Sequence, residues 1–372
     1  MRLLDRYLLR ELLLPLGYCL CGFLIFWIST DLFSDLDLFQ EKKLGAGEVL
    51  EYYLVSLPEL LVTVTPIALL LALLYALTQH ARHHELVAIR AAGVGLWRLS
   101  LPYLAVGFFF ALVMVVLNEF GVPRSAAAAD RILNRRVENP APAERGWLRP
   151  LNFGNARDRR NWSIEAYNLQ TGEMIRPDLD WRLPDGSRRW IHAERAERQA
   201  GVWVFHQVME HFYPYDQPDT WLPRSAAVLE LGELTETPAQ IRNEVRINSL
   251  NSFKASKQAR LSLWEILNYR RWHPDMRADK RAVLGTLLHL HLAAPWTCLV
   301  VVLIALPFGL RSGRRNVFVG VASSIFICFA FFTVREFSSA LGAGGYVAPW
   351  LAAWLPNLLF AGAALALIQR VR

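Results

Sequence analysis

The sequence predicts an α-helical membrane protein in which six transmembrane helices, three before and three after, flank an inserted water-exposed β domain. Six stretches lack Asp, Glu, Lys and Arg over about 20 residues or more, the length a helix rising about 1.5 Å per residue needs to cross about 30 Å of hydrocarbon. Charge is segregated as well. Of the 40 Lys+Arg and 33 Asp+Glu in 372 residues, 26 and 21 fall within residues 122–282, which make up less than half of the chain. That middle stretch also alternates apolar and polar residues at the strand period.

The uncharged runs are 12–30, 60–79, 99–118, 283–310, 316–334 and 337–369. They are continuously apolar, whereas strands of a membrane barrel would be shorter and would alternate. The first run follows Asp5, Arg6, Arg10 and Glu11, is too long for a signal-peptide core and ends without a small-residue cleavage pattern, so it reads as a retained span. Lys and Arg in the short loops set the orientation. Arg2, Arg6 and Arg10, then Arg82, Arg90 and Arg98, then Arg311, Arg314 and Arg315, and finally Arg370 and Arg372 all fall on one side. On the other side, Lys42 and Lys43 face seven acidic residues between Asp31 and Glu59, and the loop 338–348 has no charge. Both termini are expected in the cytoplasm and the domain 122–282 outside it.

Within that domain, Trp162, Ile164 and Ala166 alternate with Ser163, Glu165 and Tyr167, and Val202, Val204 and Val208 alternate with Trp203, Phe205 and Gln207. Pro184, Asp185, Gly186 and Ser187 supply a tight turn, and Gln199, Ala200 and Gly201 a short hairpin loop. The edges are helical: residues 125–136 are Ala-rich and extend the third helix outward, and Ser262 with Glu265 forms a capping-box pattern. Cys19, Cys21, Cys298 and Cys328 all lie in spans, so no disulfide framework or zinc site is implied. The net charge of +7 could suggest a nucleic acid partner, but the basic residues outside the middle domain are mostly juxtamembrane, and membrane lipids account for them.

The cytoplasmic segment 80–98 is longer than a simple connection needs. Leu86, Ile89, Gly93 and Leu96 recur at helical spacing with Trp97 beside them, and Glu85, Arg90 and Arg98 fall on or near the polar side. Such an amphipathic helix fits docking into a groove on a soluble partner, or lying on lipid with Trp97 at the interface.

The stretch from Glu85 through Leu86, Ile89, Arg90, Gly93 and Trp97 to Arg98 resembles the coupling-helix region of the YjgP/YjgQ permease family, the LptF/LptG subunits of the lipopolysaccharide exporter. The opening Asp5, Arg6, Tyr7, Leu8, Leu9, Arg10, Glu11, the stretch 306–315, the stretch 353–360 and, more weakly, His192 to Trp203 are similar too. The resemblance implies a permease subunit of an ATP-binding-cassette transporter that pairs with a second LptF/LptG-like permease. A cytoplasmic ATPase dimer would dock on the coupling helices. The periplasmic domain would be β-jellyroll-like and would pass lipopolysaccharide to a periplasmic jellyroll bridge protein. The chain departs from the family pattern at the outer end of the first span, where Asp31, Asp35 and Asp37 stand in place of basic residues, and before Pro295, where His289 and His291 stand in place of an Arg.

The domain boundaries follow as 1–121 with the coupling helix at about 80–98, then 122–282, then 283–372. Lys42, Lys43 and Arg335 are the candidate contacts for substrate phosphates, with interfacial anchoring as the plainer role. His80, His83, His84 and Glu85 cluster without a His-Glu-x-x-His pattern, so neither a metal nor another cofactor is expected. Transport competes with a membrane enzyme and an anchored sensor. An enzyme needs ionisable residues converging at one depth, and the spans hold almost none. The sequence has no Gly-x-x-x-x-Gly-Lys-Ser/Thr, so ATP hydrolysis falls to another chain.

Overall fold

In a computed structural model that describes residues 3–135, 147–216, 221–248, 261–309 and 317–371, six helices are long and apolar enough to cross a membrane. They cover Leu3–Ser34, Ala46–Arg82, Trp97–Leu133, Ala278–Pro307, Ile325–Ala343 and Pro349–Gln369. A seven-stranded antiparallel sheet is inserted between the third and fourth, as the sequence predicts. Two compact units result, Met1–Arg136 with Ala278–Arg372, and Val137–Arg277. The loop carrying Arg311, Arg314 and Arg315 lies outside the described residues, as do Arg2, Arg136 and Arg372.

Helix α1 (Leu3–Ser34) meets α3 (Ala46–Arg82) through Leu8, Leu12 and Leu16, one turn apart on a single face. Beyond Leu16 it buries no side chain, and Tyr18, Ile25, Phe26 and Phe33 are exposed. Between these helices sits α2 (Leu36–Glu41). After α3 come a short α4 (Glu85–Ala91) and α5 (Leu96–Val116), which runs through a π turn (Leu117–Gly121) into α6 (Val122–Asn134). The third span thus continues outward through the Ala-rich stretch. Its wider turn brings Gly121 so close to Pro58 of α3 that an added Cβ would lie 3.2 Å from the proline ring.

The soluble unit is built from β1 (Trp147–Leu148), β2 (Leu151–Asn155), β3 (Arg160–Asn168), β4 (Met174–Arg182), β5 (Arg188–Gln199), β6 (Val202–Tyr213) and β7 (Leu222–Leu231). From β3 to β7 the strands pair with their chain neighbours, and β1 and β2 both pair with β3. Ala200 and Gly201, both at positive φ, close the β5–β6 hairpin with the two-residue loop that matches strand twist. The core is aromatic: Trp162 stacks between Phe153 at 5.8 Å and Phe205 at 6.2 Å, next to the fully buried Trp203.

A crease crosses this sheet. The inward set runs Trp203, Phe205 and then Val208 in β6, Ile191, Ala193 and then Ala196 in β5, and Met174 and then Leu179 in β4. Arg176 and Gln207 have positive φ at the slip. The alternation expected from sequence, which set Val208 opposite Trp203 and Phe205, is therefore corrected: the backbone turns over at Gln207 and brings Val208 to their side. Among the described residues two helices complete the unit, α7 (Pro238–Asn248) and α8 (Leu263–Trp272). Ser262 accepts from the Glu265 N–H at 3.2 Å and Glu265 accepts from the Ser262 N–H at 2.7 Å, the reciprocal cap expected from sequence. The end of the sheet is fastened by buried Arg160, which donates to Glu236 at 3.0 Å and lies 4.4 Å over Trp181. Trp203 donates its indole N–H to the Glu236 carbonyl at 2.7 Å.

The fourth span is broken. Helix α9 (Ala278–Ala293) passes through a 3-10 turn (Ala294–Trp296) into α10 (Thr297–Gly309), because Pro295 has no N–H to offer. Helices α11 (Val317–Ala343) and α12 (Pro349–Val371) pack beside it. From α12, buried Asn357 donates to the Ala293 carbonyl at 2.8 Å and so satisfies an acceptor at the break.

Candidate functional site

The segment 80–98 resolves into three pieces instead of one amphipathic helix. His84, at φ 59, separates α3 from α4. Gly93, at φ 82, ends α4: its N–H reaches the Arg90 carbonyl at 3.0 Å while the Val94 N–H reaches that of Ile89 at 3.3 Å, a Schellman stop that needs a left-handed residue. Trp97 and Arg98 therefore belong to the first turn of the third span.

Anchoring residues and outward residues separate cleanly on α4. Leu86 is buried and Ile89 packs against the membrane core, so these two hold the helix down. Val87 and Arg90 are exposed, as are Ala91, Gly93 and Trp97. Glu85 points inward. Its Oε2 accepts from His80 Nδ1 at 2.6 Å and from the Tyr7 hydroxyl at 3.0 Å, which ties α4 to both α3 and α1. Burial pushes the Glu85 carboxyl up, but the hydrogen bonds from His80 and then Tyr7 outweigh it and hold the group below the usual carboxylate range. His80 Nε2 is buried and has no hydrogen-bond partner among the described residues. Arg98 makes a matching tie to α1, with one guanidinium nitrogen 2.8 and 2.9 Å from the two Asp5 oxygens.

Sequence reading identified Glu85, Leu86, Ile89, Arg90, Gly93, Trp97 and Arg98, and missed Tyr7, His80 and Asp5 as their partners. Tyr7 and Asp5 lie in the opening motif Asp5 to Glu11 and His80 in the histidine cluster beside Glu85, but neither pattern hints that residues 78 and 93 positions apart meet.

The substrate-path cations lie on different elements. Lys42 caps α2, and Lys43 follows it at φ 52. The Lys43 N–H bonds the Gln40 carbonyl and the Leu44 N–H that of Phe39, both at 3.0 Å, so Lys43 fills a Schellman position usually given to glycine. Asp35, at the start of the same turn, has its carboxyl pushed up by burial and by the neighbouring Asp31. Arg335 stands apart on α11. It borders a small cavity with Ala293, Thr297 and Asn357 at the break of the fourth span, and no residue of α2 lines that cavity. Glu336, next to it on α11, is the charged group that acts on its guanidinium.

Against this geometry, the sequence matches the family model described as "Lipopolysaccharide export system permease LptF/LptG" over residues 6–370. The chain belongs to that family. No curated protein sequence matches the chain. A permease of the LptF/LptG family with six spanning helices is a multi-pass inner-membrane protein, and the inserted sheet occupies the place of its periplasmic domain.

Proposed function

We propose that this chain is a permease subunit of an ATP-driven exporter that takes lipopolysaccharide from the outer leaflet of the inner membrane and passes it to a periplasmic bridge. An ATPase dimer docks on the cytoplasmic face, and a second LptF/LptG-like permease completes the membrane pore. Both termini and α4 are cytoplasmic, and residues 122–282 are periplasmic. The observation that carries the reading is α4 itself. It is tied to two spans through Glu85 while Val87 and Arg90 remain exposed on it, so a push on its outer face is delivered to α1 and α3. A helix merely resting on lipid would have no need of ties to two spans. The lack of any P-loop sequence fits an energy source on another chain. Arg335, beside a broken span, and Lys43, exposed in the outer turn, offer cations for the phosphates of the substrate headgroup.

Topology gives the test. Single cysteines at Arg188 and Arg314 in intact spheroplasts should differ toward an impermeant thiol reagent, with 188 labelled and 314 protected. The reverse pattern refutes the orientation on which the export reading depends.

A further inference from the structure

The face of the sheet turned away from the tryptophan core is polar and grooved. Two rungs cross it side by side, Asn152, Ser163 and Asp178 in one and Asn161, Asp180 and Trp190 in the other. They alternate with buried Phe153, Trp162 and Leu179, which sets them on the opposite face. Glu244, Tyr269 and His273 of the α7–α8 region wall one side, and the whole forms an open groove of about 730 Å³.

Each carboxylate of the groove has a nitrogen partner beside it. Asp178 accepts from His192 at 2.6 Å, Asp180 holds Arg188 at 2.6 and 3.0 Å, and Glu244 lies 3.3 Å from His273. These partners leave each carboxylate with lone pairs to offer a ligand. Asn152, Asn161 and Ser163 commit their side chains to no hydrogen bond with any described residue, so donors and acceptors stand side by side unused. At the end of the row Trp190 is 41% exposed. His211 holds it at 5.4 Å and is in turn packed on Trp221 at 4.5 Å, so the ring is already ordered before anything stacks on it.

An acyl chain laid here would strand these amides without partners, and a phosphate would meet the acceptor oxygens of three carboxylates. A polyhydroxylated ring fits both halves of the groove, its hydroxyls meeting amides and carboxylates and its apolar C–H face meeting indole. We propose that this groove binds a saccharide. That the sugar is the polar portion of the exported amphiphile rests on the function proposed above; the groove's preference for a saccharide does not.

The test uses the full-length chain in detergent, with saturation-transfer NMR against lipid-free core oligosaccharide released from lipopolysaccharide, an unrelated linear glucan and inorganic phosphate. Saturable binding of the oligosaccharide is expected, weakened about fivefold by Trp190→Ala, a loss of the size aromatic contacts support. Asn161→Leu combined with Ser163→Ala should weaken it comparably, with no binding of phosphate. Binding of glucan in place of the core oligosaccharide keeps the saccharide site and overturns its link to the exported lipid. No saturable binding of either sugar, or binding untouched by both sets of variants, overturns the proposal. If whole lipopolysaccharide co-purifies while no free sugar binds, this inference fails and the transport reading stands.

Discussion

Replacing Glu85 with alanine isolates what α4 owes to its inward ties. Two charge-assisted hydrogen bonds are lost, from His80 at 2.6 Å and from Tyr7 at 3.0 Å. The Glu85 side chain is 32% exposed, which moderates the loss, but the His80 side chain is 2% exposed and its Nδ1–H would be left without an acceptor. An orphaned buried donor costs about 1–3 kcal/mol, so a local loss of about 2 kcal/mol is the central expectation. At 1.4 kcal/mol per factor of ten this raises the open population of α4 roughly 30-fold. Arg90 is exposed on α4, so tryptic cleavage after it under native conditions reports that opening. Glu85→Ala should be cut about 30 times faster than the parent chain, and Tyr7→Phe several times faster, with the double variant close to Glu85→Ala alone. Cleavage at the parental rate in Glu85→Ala, or fully additive effects of the two changes, would refute the tie. ATPase association supplies a second readout. If Glu85 acts by positioning α4, Tyr7→Phe weakens co-purification in the same direction, whereas Arg90→Glu, which removes the tryptic site itself, weakens it with the Glu85 tie intact.

The same tie carries a pH dependence. A carboxyl held below its ordinary range lends stability that is complete above the unfolded value and disappears as pH falls through the folded one, so protection at Arg90 should be steady near neutrality and lost only below the usual carboxylate range. Lys43→Gly relieves a left-handed lysine and should leave thermal stability equal or higher by up to about 1 kcal/mol, while reducing lipopolysaccharide photo-crosslinking beside it. Asn357→Leu strands the Ala293 carbonyl at the break of the fourth span and should cost about 1–3 kcal/mol in denaturant unfolding from detergent. Arg160→Met leaves the Glu236 carboxylate buried without its cation and should destabilise the sheet by about 3–5 kcal/mol, most of it regained when Glu236→Leu is added.

Features with a local cause were legible in the sequence. The spans announce themselves by uninterrupted apolar length, the Ser262–Glu265 cap by its spacing, and the β5–β6 hairpin by Ala200 and Gly201. The third helix running on through the Ala-rich stretch was legible for the same reason. What escaped depends on backbone reversals and on distant partners. A helical repeat read through Gly93 as though it were interior, because period alone does not register a left-handed residue. Gln207 turns β6 over with a side chain that carries no turn signal, so the alternation slipped unseen. Glu85 and Arg98 read as polar-face residues for a partner, and their inward engagement with Tyr7, His80 and Asp5 comes from packing of helices far apart in the chain. Arg335 was singled out for its place at a span end, but the polar pair Thr297 and Asn357 beside it becomes visible only once the fourth span breaks and α12 closes on it.

On the function proposed above, this chain works as one membrane subunit of an ATP-driven lipopolysaccharide exporter. Mild-detergent purification of the tagged full-length chain, with mass spectrometry of co-purifying proteins and lipids, tests it most directly. The account predicts a P-loop ATPase, a second permease of the same family and lipopolysaccharide in one particle, with the ATPase lost in Arg90→Glu while the second permease stays. A chain that purifies without any ATPase, or one whose ATPase comes with a different lipid and never with lipopolysaccharide, would contradict it.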